Sequence, residues 1–417
     1  MSRDDGASMR TGGAGTAVLV GLLALAVLLN FVDRGAIGVA APLMKQDLGL
    51  SATAFGIAVS AFFWTYGPLQ PLLGWLADRW SAALVLAGGV LLWALATLLT
   101  GHAVGLGGLV LLRLLLGLGE GFLFPCVSKL IAGHVPAERR GLANAVVAVG
   151  LALGPAAGTL AGGAILAQAG WRAVFVLSGL VTLVWLVPWF LVARRLSPVP
   201  HNDQRSGQRY GALLRNRALW LMGLCHACAN YGFFFVSTWL PLYLVKSRGL
   251  PIGTMALYAG LMYGAQAVAS LCWGQMSDRL VRLGHDEGAV RRGLSVVGLV
   301  GSVLAIGAIA MATGPGWLLA ALLVTGVFLG CLPTMVYAIG QLYAGPARAA
   351  SWIGIQNAIG SLSGIIGPVV TGLIVDLTGG FGGAFAFCAA VSALGAVLFA
   401  FALPPVPEAE AAGNVFT

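Results

Sequence analysis

Residues 74–79 read Gly74-Trp75-Leu76-Ala77-Asp78-Arg79, and residues 274–279 read Gly274-Gln275-Met276-Ser277-Asp278-Arg279. Each copy closes a long apolar run, 52–77 in the first case and 253–277 in the second. A weaker pair, Gly154-Pro155 and Gly367-Pro368, recurs inside the runs 141–168 and 348–375. Glycine and an Asp-Arg pair at the same end of corresponding apolar runs mark a chain made of two related halves, a known plan for transport proteins. Working outward, further runs fall at roughly 17–41, 81–101, 105–132, 172–193, 218–245, 293–313, 317–343 and 381–403.

Composition says what solvent these runs need. Of 417 residues, 59% are hydrophobic and 9% charged, with a mean hydropathy of +0.92. A soluble domain carries about 25% charged residues, and a chain of this length has too much surface to hide so much apolar area from water. Lipid must cover most of it. A helix crossing a bilayer needs about 20 apolar residues, so the runs predict an all-α polytopic membrane protein. Its twelve transmembrane helices form two pseudo-symmetric six-helix bundles, 1–193 and 218–417, joined by the polar linker 194–217. The run that begins at Thr16 is too long for a cleavable signal peptide.

Charge orients the chain. Arg194, Arg195, Arg205, Arg209, Arg215 and Arg217 fall in the linker, and Arg279, Arg282, Arg291 and Arg292 in the loop after the second repeat. The opposite loops hold only Lys45, Arg172, Lys246 and Arg248. The positive-inside rule then puts both termini in the cytoplasm of a cell with an inner membrane. It also explains the net charge of +9 without nucleic acid. The six cysteines sit in apolar segments, and Cys225-His226-Ala227-Cys228 has no second Cys/His cluster nearby. Buried thiols and a helix-packing histidine are therefore expected rather than a disulfide framework or a metal site. No cofactor and no enzymatic activity are expected; the partners are lipid, protons and a small organic anion, and the protein is expected to be a monomer.

Ionisable side chains in the hydrocarbon core are costly, by about 2.5–3.5 kcal/mol on insertion scales. The exceptions here are Asp33, Arg34, Arg113 and Glu120, with Lys129 near a helix end, where it can snorkel to water. At 1.5 Å per residue, Asp33 lies roughly 24 Å along the first helix and Arg113 roughly 12 Å along the fourth. The two therefore reach comparable depths in the outer half of the membrane. Glu120, seven residues after Arg113, shares its helix face. Adjacent residues on a helix point about 100° apart, so we expect Asp33 to pair with Arg113 and Arg34 to face the cavity. An arginine fork binds a carboxylate bidentately, which makes Arg34 the expected substrate anchor with Arg113 beside it. Desolvation disfavours a charged carboxylate, which makes Asp33 and Glu120 the expected proton sites. Asn30, Tyr66 and Gln70 are candidates to line the first half of the cavity, and Gln266, Tyr337, Gln356 and Asn357 the second. Asp78-Arg79 and Asp278-Arg279 sit where two rocking halves would latch.

The chain resembles the major facilitator superfamily over essentially its whole length. The Gly-x-x-x-Asp-Arg repeats resemble its signature after the second helix. Arg113-Leu-Leu-Leu-Gly117-Leu-Gly119-Glu120-Gly121 resembles its fourth-helix pattern. The first repeat departs at Ser81-Ala82-Ala83, where the family's basic residues are missing. Within the superfamily the chain is most similar to anion:cation symporters, among them bacterial sugar-acid and vesicular sialic-acid and glutamate carriers. The similar stretches are Asn30 to Arg34, Phe62 to Tyr66 through Gln70, Arg113 to Pro125, Phe233 to Leu244, and Gln356-Asn357 through Gly372. The resemblance implies a proton-coupled symporter of an organic carboxylate, a sugar acid or hydroxy-acid. It gives Arg34 the substrate and Asp33 and Glu120 the protons. Phe31 stands where relatives often have Tyr, which keeps open a short monocarboxylate or an aromatic acid. A proton-driven exporter of drugs or metabolites is the alternative, and Arg34 argues against a cationic cargo.

Overall fold

The computed structural model describes residues 13–135, 140–196, 213–344 and 349–406, and these residues hold helices and no strand. In chain order the helices are α1 (Gly13–Asp47), α2 (Ala52–Arg79), α3 (Ala82–Thr100), α4 (Gly105–Gly121), α5 (Leu123–His134) and α6 (Arg140–Ala193). They continue with α7 (Arg217–Lys246), α8 (Ile252–Arg282), α9 (Glu287–Met311), α10 (Pro315–Ala344), α11 (Ala349–Gly360), α12 (Leu362–Thr378) and α13 (Gly382–Val397), which runs into a π-turn at Leu398–Ala402.

These elements make twelve passes. The 54-residue α6 is two helices folded at Gly170, whose φ of 79° lies in the left-handed region that a glycine adopts without strain. The pairs α4–α5 and α11–α12 are each one pass interrupted at a single residue, Phe122 and Ser361. Most of the linker expected at 194–217 lies outside the described residues.

The helices before the linker pack chiefly on one another, as α1 on α6, α2 on α4 and α3 on α6. Those after it do the same, as α8 on α10, α9 on α10 and α7 on α11. Between the two groups, α1 meets α7, α2 meets α12 and α6 meets α8. Two of these crossings are backbone to backbone: a Cβ on Gly38 would collide with the Ser237 carbonyl, and one on Gly372 with the Ala52 carbonyl. Both lie toward the end of the bundle opposite the chain termini. Close approach through glycine is how helices associate in lipid, where no hydrophobic force drives them together.

A carboxylate secures the same end. Asp376, on the last turns of α12, accepts from Ala52 N–H at 2.9 Å, from Thr53 N–H at 2.7 Å and from the Thr53 hydroxyl at 2.6 Å. It thereby caps the first turn of α2, where backbone N–H groups lack helical partners. Asp376→Ala is expected to cost about 1 kcal/mol, the usual worth of a cap. It should lower the melting temperature of the purified protein, while Asp376→Asn, which keeps one acceptor, should lower it less. An unchanged melting temperature for the alanine variant would show that the cap contributes nothing.

Candidate functional site

The buried charges converge between α1, α2, α3 and α4. Asp33, Arg113 and Glu120 are 3%, 5% and 0% exposed. The Arg34 side chain retains 21% exposure. Arg34 Nε donates to Glu120 Oε2 at 3.0 Å. Its guanidinium is enclosed by aromatic rings, with Cζ 4.8 Å from the Phe31 centroid, 5.2 Å from Phe62 and 4.5 Å from Tyr66. Phe62 and Tyr66 are themselves stacked at 5.0 Å. These cation–π contacts hold the guanidinium in place.

The expected pairing is corrected here. Among the described residues no ion pair joins Asp33 to Arg113. Asp33 Oδ2 accepts instead from Trp93 Nε1 at 2.5 Å and from the Thr97 hydroxyl at 3.3 Å, both on α3. Depth and the 100° between adjacent helical residues point to Arg113 as partner of Asp33, but neither fixes the absolute rotation of α1. Which way Asp33 points is set by the packing of α1 on its neighbours, and α3 supplies the donors. Arg34 does not stand alone in the site either, because its rotation about α1 brings it onto Glu120. Trp93 and Thr97 were missed. One signal could have found them: an indole N–H inside a spanning helix needs an acceptor, and Thr97 lies one turn further on the same face.

Arg34 Nη2 and Arg113 Nε have no hydrogen-bond partner among the described residues, and Asn30 lies beside Glu120 with neither its amide atoms nor Glu120 Oε1 in a well-formed hydrogen bond. Buried polar groups in proteins are nearly always paired, and leaving one unpaired costs about 1–3 kcal/mol. These atoms gather around the one side chain of the cluster that keeps some exposure, Arg34.

The second wall is neutral. Tyr337 on α10 donates its hydroxyl to Asn357 Oδ1 at 3.2 Å, and Asn357 Nδ2 donates to Gln70 Oε1 of α2 at 3.3 Å. Tyr337 is also within electrostatic reach of Tyr66 and Arg34. Tyr66 thus lies against Arg34, and Tyr337 leads through Asn357 to Gln70. Gln356 is different. It is fully buried, accepts from Trp352 Nε1 at 3.0 Å and donates to the Val336 carbonyl at 3.3 Å, so its polar atoms are engaged within its own helix pair. Gln266, half-buried on α8, keeps an unpartnered Oε1. His226 is 2% exposed, with its ring edge-on to Tyr337 at 5.3 Å.

Both interrupted helices end at this site. Glu120 is two residues before the break at Phe122, and Asn357 is one turn before the break at Ser361, whose hydroxyl donates back to the Asn357 carbonyl at 2.9 Å. Broken helices in a membrane occur where their freed backbone groups line a site or are buried in protein.

Away from this centre, Asp278 and Arg279 are exposed and form no ion pair with a described residue. The Asp78 and Arg79 side chains lie outside the description. Lys129 does not only snorkel: its Nζ donates to the Ala77 carbonyl at 2.7 Å, tying α5 to the end of α2. A surface cleft beside Asp47 and Arg172 offers no free charge, because these two side chains pair with each other.

A family model described as Major Facilitator Superfamily matches residues 23–285 and 260–415. The chain belongs to the major facilitator superfamily. As a member of this superfamily it is a multi-pass membrane transport protein rather than an enzyme. It is 30% identical to the "Probable sulfoacetate transporter SauU" of Cupriavidus necator, over 93% of this chain and 94% of that one. It is 29% identical to the "Hexuronate transporter" of Bacillus subtilis, over 87% and 89%. Identity is also 29% to the "Probable L-galactonate transporter" of Escherichia coli, over 91% and 87%. In fold, it is similar to a bacterial homolog of the human lysosomal transporter Spinster in an inward-facing, unoccupied conformation. The TM-score there is 0.75 at 17% identity, covering 94% of this chain and 96% of that one.

Proposed function

We propose that this superfamily member is a proton-coupled symporter of an organic carboxylate anion, a sugar acid or related hydroxy-acid. The observation that carries the reading is the bond between Arg34 and Glu120 in a buried cluster where only Arg34 reaches outward. Two carboxyls and two guanidiniums give that cluster no net charge when all are ionised. An anion entering alone would unbalance it in a medium of low dielectric constant, where uncompensated charge is expensive. An anion entering with one proton would not.

The Arg34–Glu120 bond supports this order of events. Deprotonated Glu120 occupies Arg34. Protonation of Glu120 weakens that hold, and the substrate carboxylate takes the guanidinium in its place. Asp33, held by Trp93 and Thr97, is a second proton site. The hydroxyl-bearing remainder of the substrate meets Tyr66, Gln70, Tyr337 and Asn357. The bundles 1–193 and 218–417 rock about this site, joined by 194–217 on the cytoplasmic side of the inner membrane. Asp78-Arg79 and Asp278-Arg279 close that side. The names of the relatives, which include hexuronate and L-galactonate transporters, support the substrate class.

The test is uptake of labelled sugar acids into proteoliposomes. An inward proton gradient should drive accumulation, and a protonophore should abolish it. Accumulation that survives the protonophore, or that follows sodium, would overturn the coupling.

A further inference from the structure

The two oxygens of Glu120 are unequally served. Oε2 accepts from Arg34 Nε at 3.0 Å. Oε1 lies in no well-formed hydrogen bond, although the side chain is fully buried. Asn30 is the neutral polar side chain beside it. It sits one turn before Arg34 on the same face of α1. It is 0% exposed, and its two amide atoms are likewise unengaged. The charged groups that meet Glu120 are otherwise Asp33 and Arg34 of α1 and Arg113 of its own α4. Tyr66 of α2 lies on Arg34, and α3 has no titratable side chain. On α5, Cys126 is buried, and Lys129 and His134 turn to the carbonyls of Ala77 and Leu130.

A carboxyl that takes up and releases a proton asks two things of a neighbour. As a carboxylate it only accepts; as an acid it also donates its O–H. A neighbour of fixed character suits one form and strands the other, where an unpaired polar group is costly. A lysine or a second carboxylate would bias the choice by its charge. A carboxamide is uncharged, carries both a donor and an acceptor, and exchanges them by a half-turn about its last side-chain bond. Arg34 decides where the proton goes. Oε2 already accepts an N–H, so a proton arriving from solution forms its bond to Oε1, on the side of Asn30.

We infer that Asn30 is a positioning residue for the coupling proton. Its Nδ2 donates to Oε1 of the Glu120 carboxylate, and after a half-turn its Oδ1 accepts from the Oε1–H of the acid. Both forms of Glu120 then keep a partner on that side, while Arg34 alone is passed to the substrate. Asn30 serves the carboxyl and not the cargo. The inference rests on the reading of Glu120 as a proton site.

Infrared spectroscopy of the purified, reconstituted protein tests it without a substrate. The signal is the C=O stretch of a protonated carboxyl that titrates with pH, assigned to Glu120 by its absence from Glu120→Gln. Leucine is close to asparagine in shape and neither donates nor accepts. In Asn30→Leu both forms of Glu120 lose a bond, and the carboxylate loses the stronger one. The acid should therefore persist to higher pH, its midpoint raised by about one unit, a tenfold gain in proton affinity. Its C=O stretch should move to higher frequency as the O–H loses its acceptor. Asn30→Ser, whose hydroxyl both donates and accepts, should bring the midpoint part of the way back. Asn30→Ala carries the same reading if the leucine variant does not fold. A midpoint that stays or falls in the apolar variant overturns the inference. So does a serine variant displaced as far, because packing alone would then explain the shift. If Glu120→Gln removes no titrating band, the reading of Glu120 as the proton site fails instead, and the role of Asn30 with it.

Discussion

Arg34→Ala is expected to abolish substrate binding and every mode of transport, including exchange of labelled for unlabelled substrate. Arg34 is the cation of the cluster whose side chain keeps some exposure, with an unpartnered Nη2, and it is pre-positioned by Phe31, Phe62 and Tyr66. Removing one partner of a buried charge-assisted pair costs about 2–5 kcal/mol or more, roughly a thirtyfold to several-thousandfold loss of affinity. The loss has a second source, because the truncation also strands the Glu120 carboxylate that Arg34 now holds. Arg34→Lys should rescue poorly. An ammonium has neither the planar fork that grips a carboxylate nor the flat face that lies against three rings. Isothermal titration and counterflow in proteoliposomes read both effects, and near-normal exchange by Arg34→Ala would remove the residue from the binding site.

Glu120→Gln should separate binding from coupling. Glutamine is close in size to a protonated glutamic acid, and it cannot hold Arg34 with a full negative charge. The variant should therefore bind and exchange the anion while losing uptake driven by the proton gradient. The Arg34–Glu120 bond adds a pH signature. In the wild-type protein, binding of the anion is linked to binding of a proton, so affinity should weaken as pH rises and Glu120 reclaims Arg34. By the reciprocity of linkage, removing the proton site removes that slope, and Glu120→Gln should bind with nearly constant affinity across the range where the wild type loses it. A steep pH dependence persisting in the variant would move coupling to Asp33. Loss of binding in both Arg34→Ala and Glu120→Gln would reduce the pair to a structural bridge between α1 and α4.

Much of the fold is legible in the amino-acid order, and the reasons are local. The apolar runs predict the helices because a segment in lipid must satisfy its own backbone hydrogen bonds, and a helix does so without help from the rest of the chain. The repeated Asp-Arg motifs locate the two halves for the same reason: they are spaced by whole sets of spans. The interruptions at Phe122 and Ser361 were harder to see. Each follows glycines, Gly119 and Gly121 in one case and Gly360 in the other, but glycines are scattered through every span of this chain and mark nothing by themselves.

The membership of the charged cluster was equally legible. Asp33, Arg34, Arg113 and Glu120 stand out because a charge in hydrocarbon is too costly to keep without a use or a partner. Their pairing was not. A helix repeats every 3.6 residues, so position along it gives depth but leaves the rotation about its axis open. That rotation is set by side chains and glycines on neighbouring helices far away in the chain. It turned Asp33 toward Trp93 and Thr97 of α3 and Arg34 toward Glu120. It also engaged Gln356 with Trp352 and Val336 while leaving Asn357 to reach Gln70. The cost of burying charge singles out residues one at a time and can be read from a string of letters. The choice among partners depends on distances between segments distant in sequence, and only the packed helices supply those.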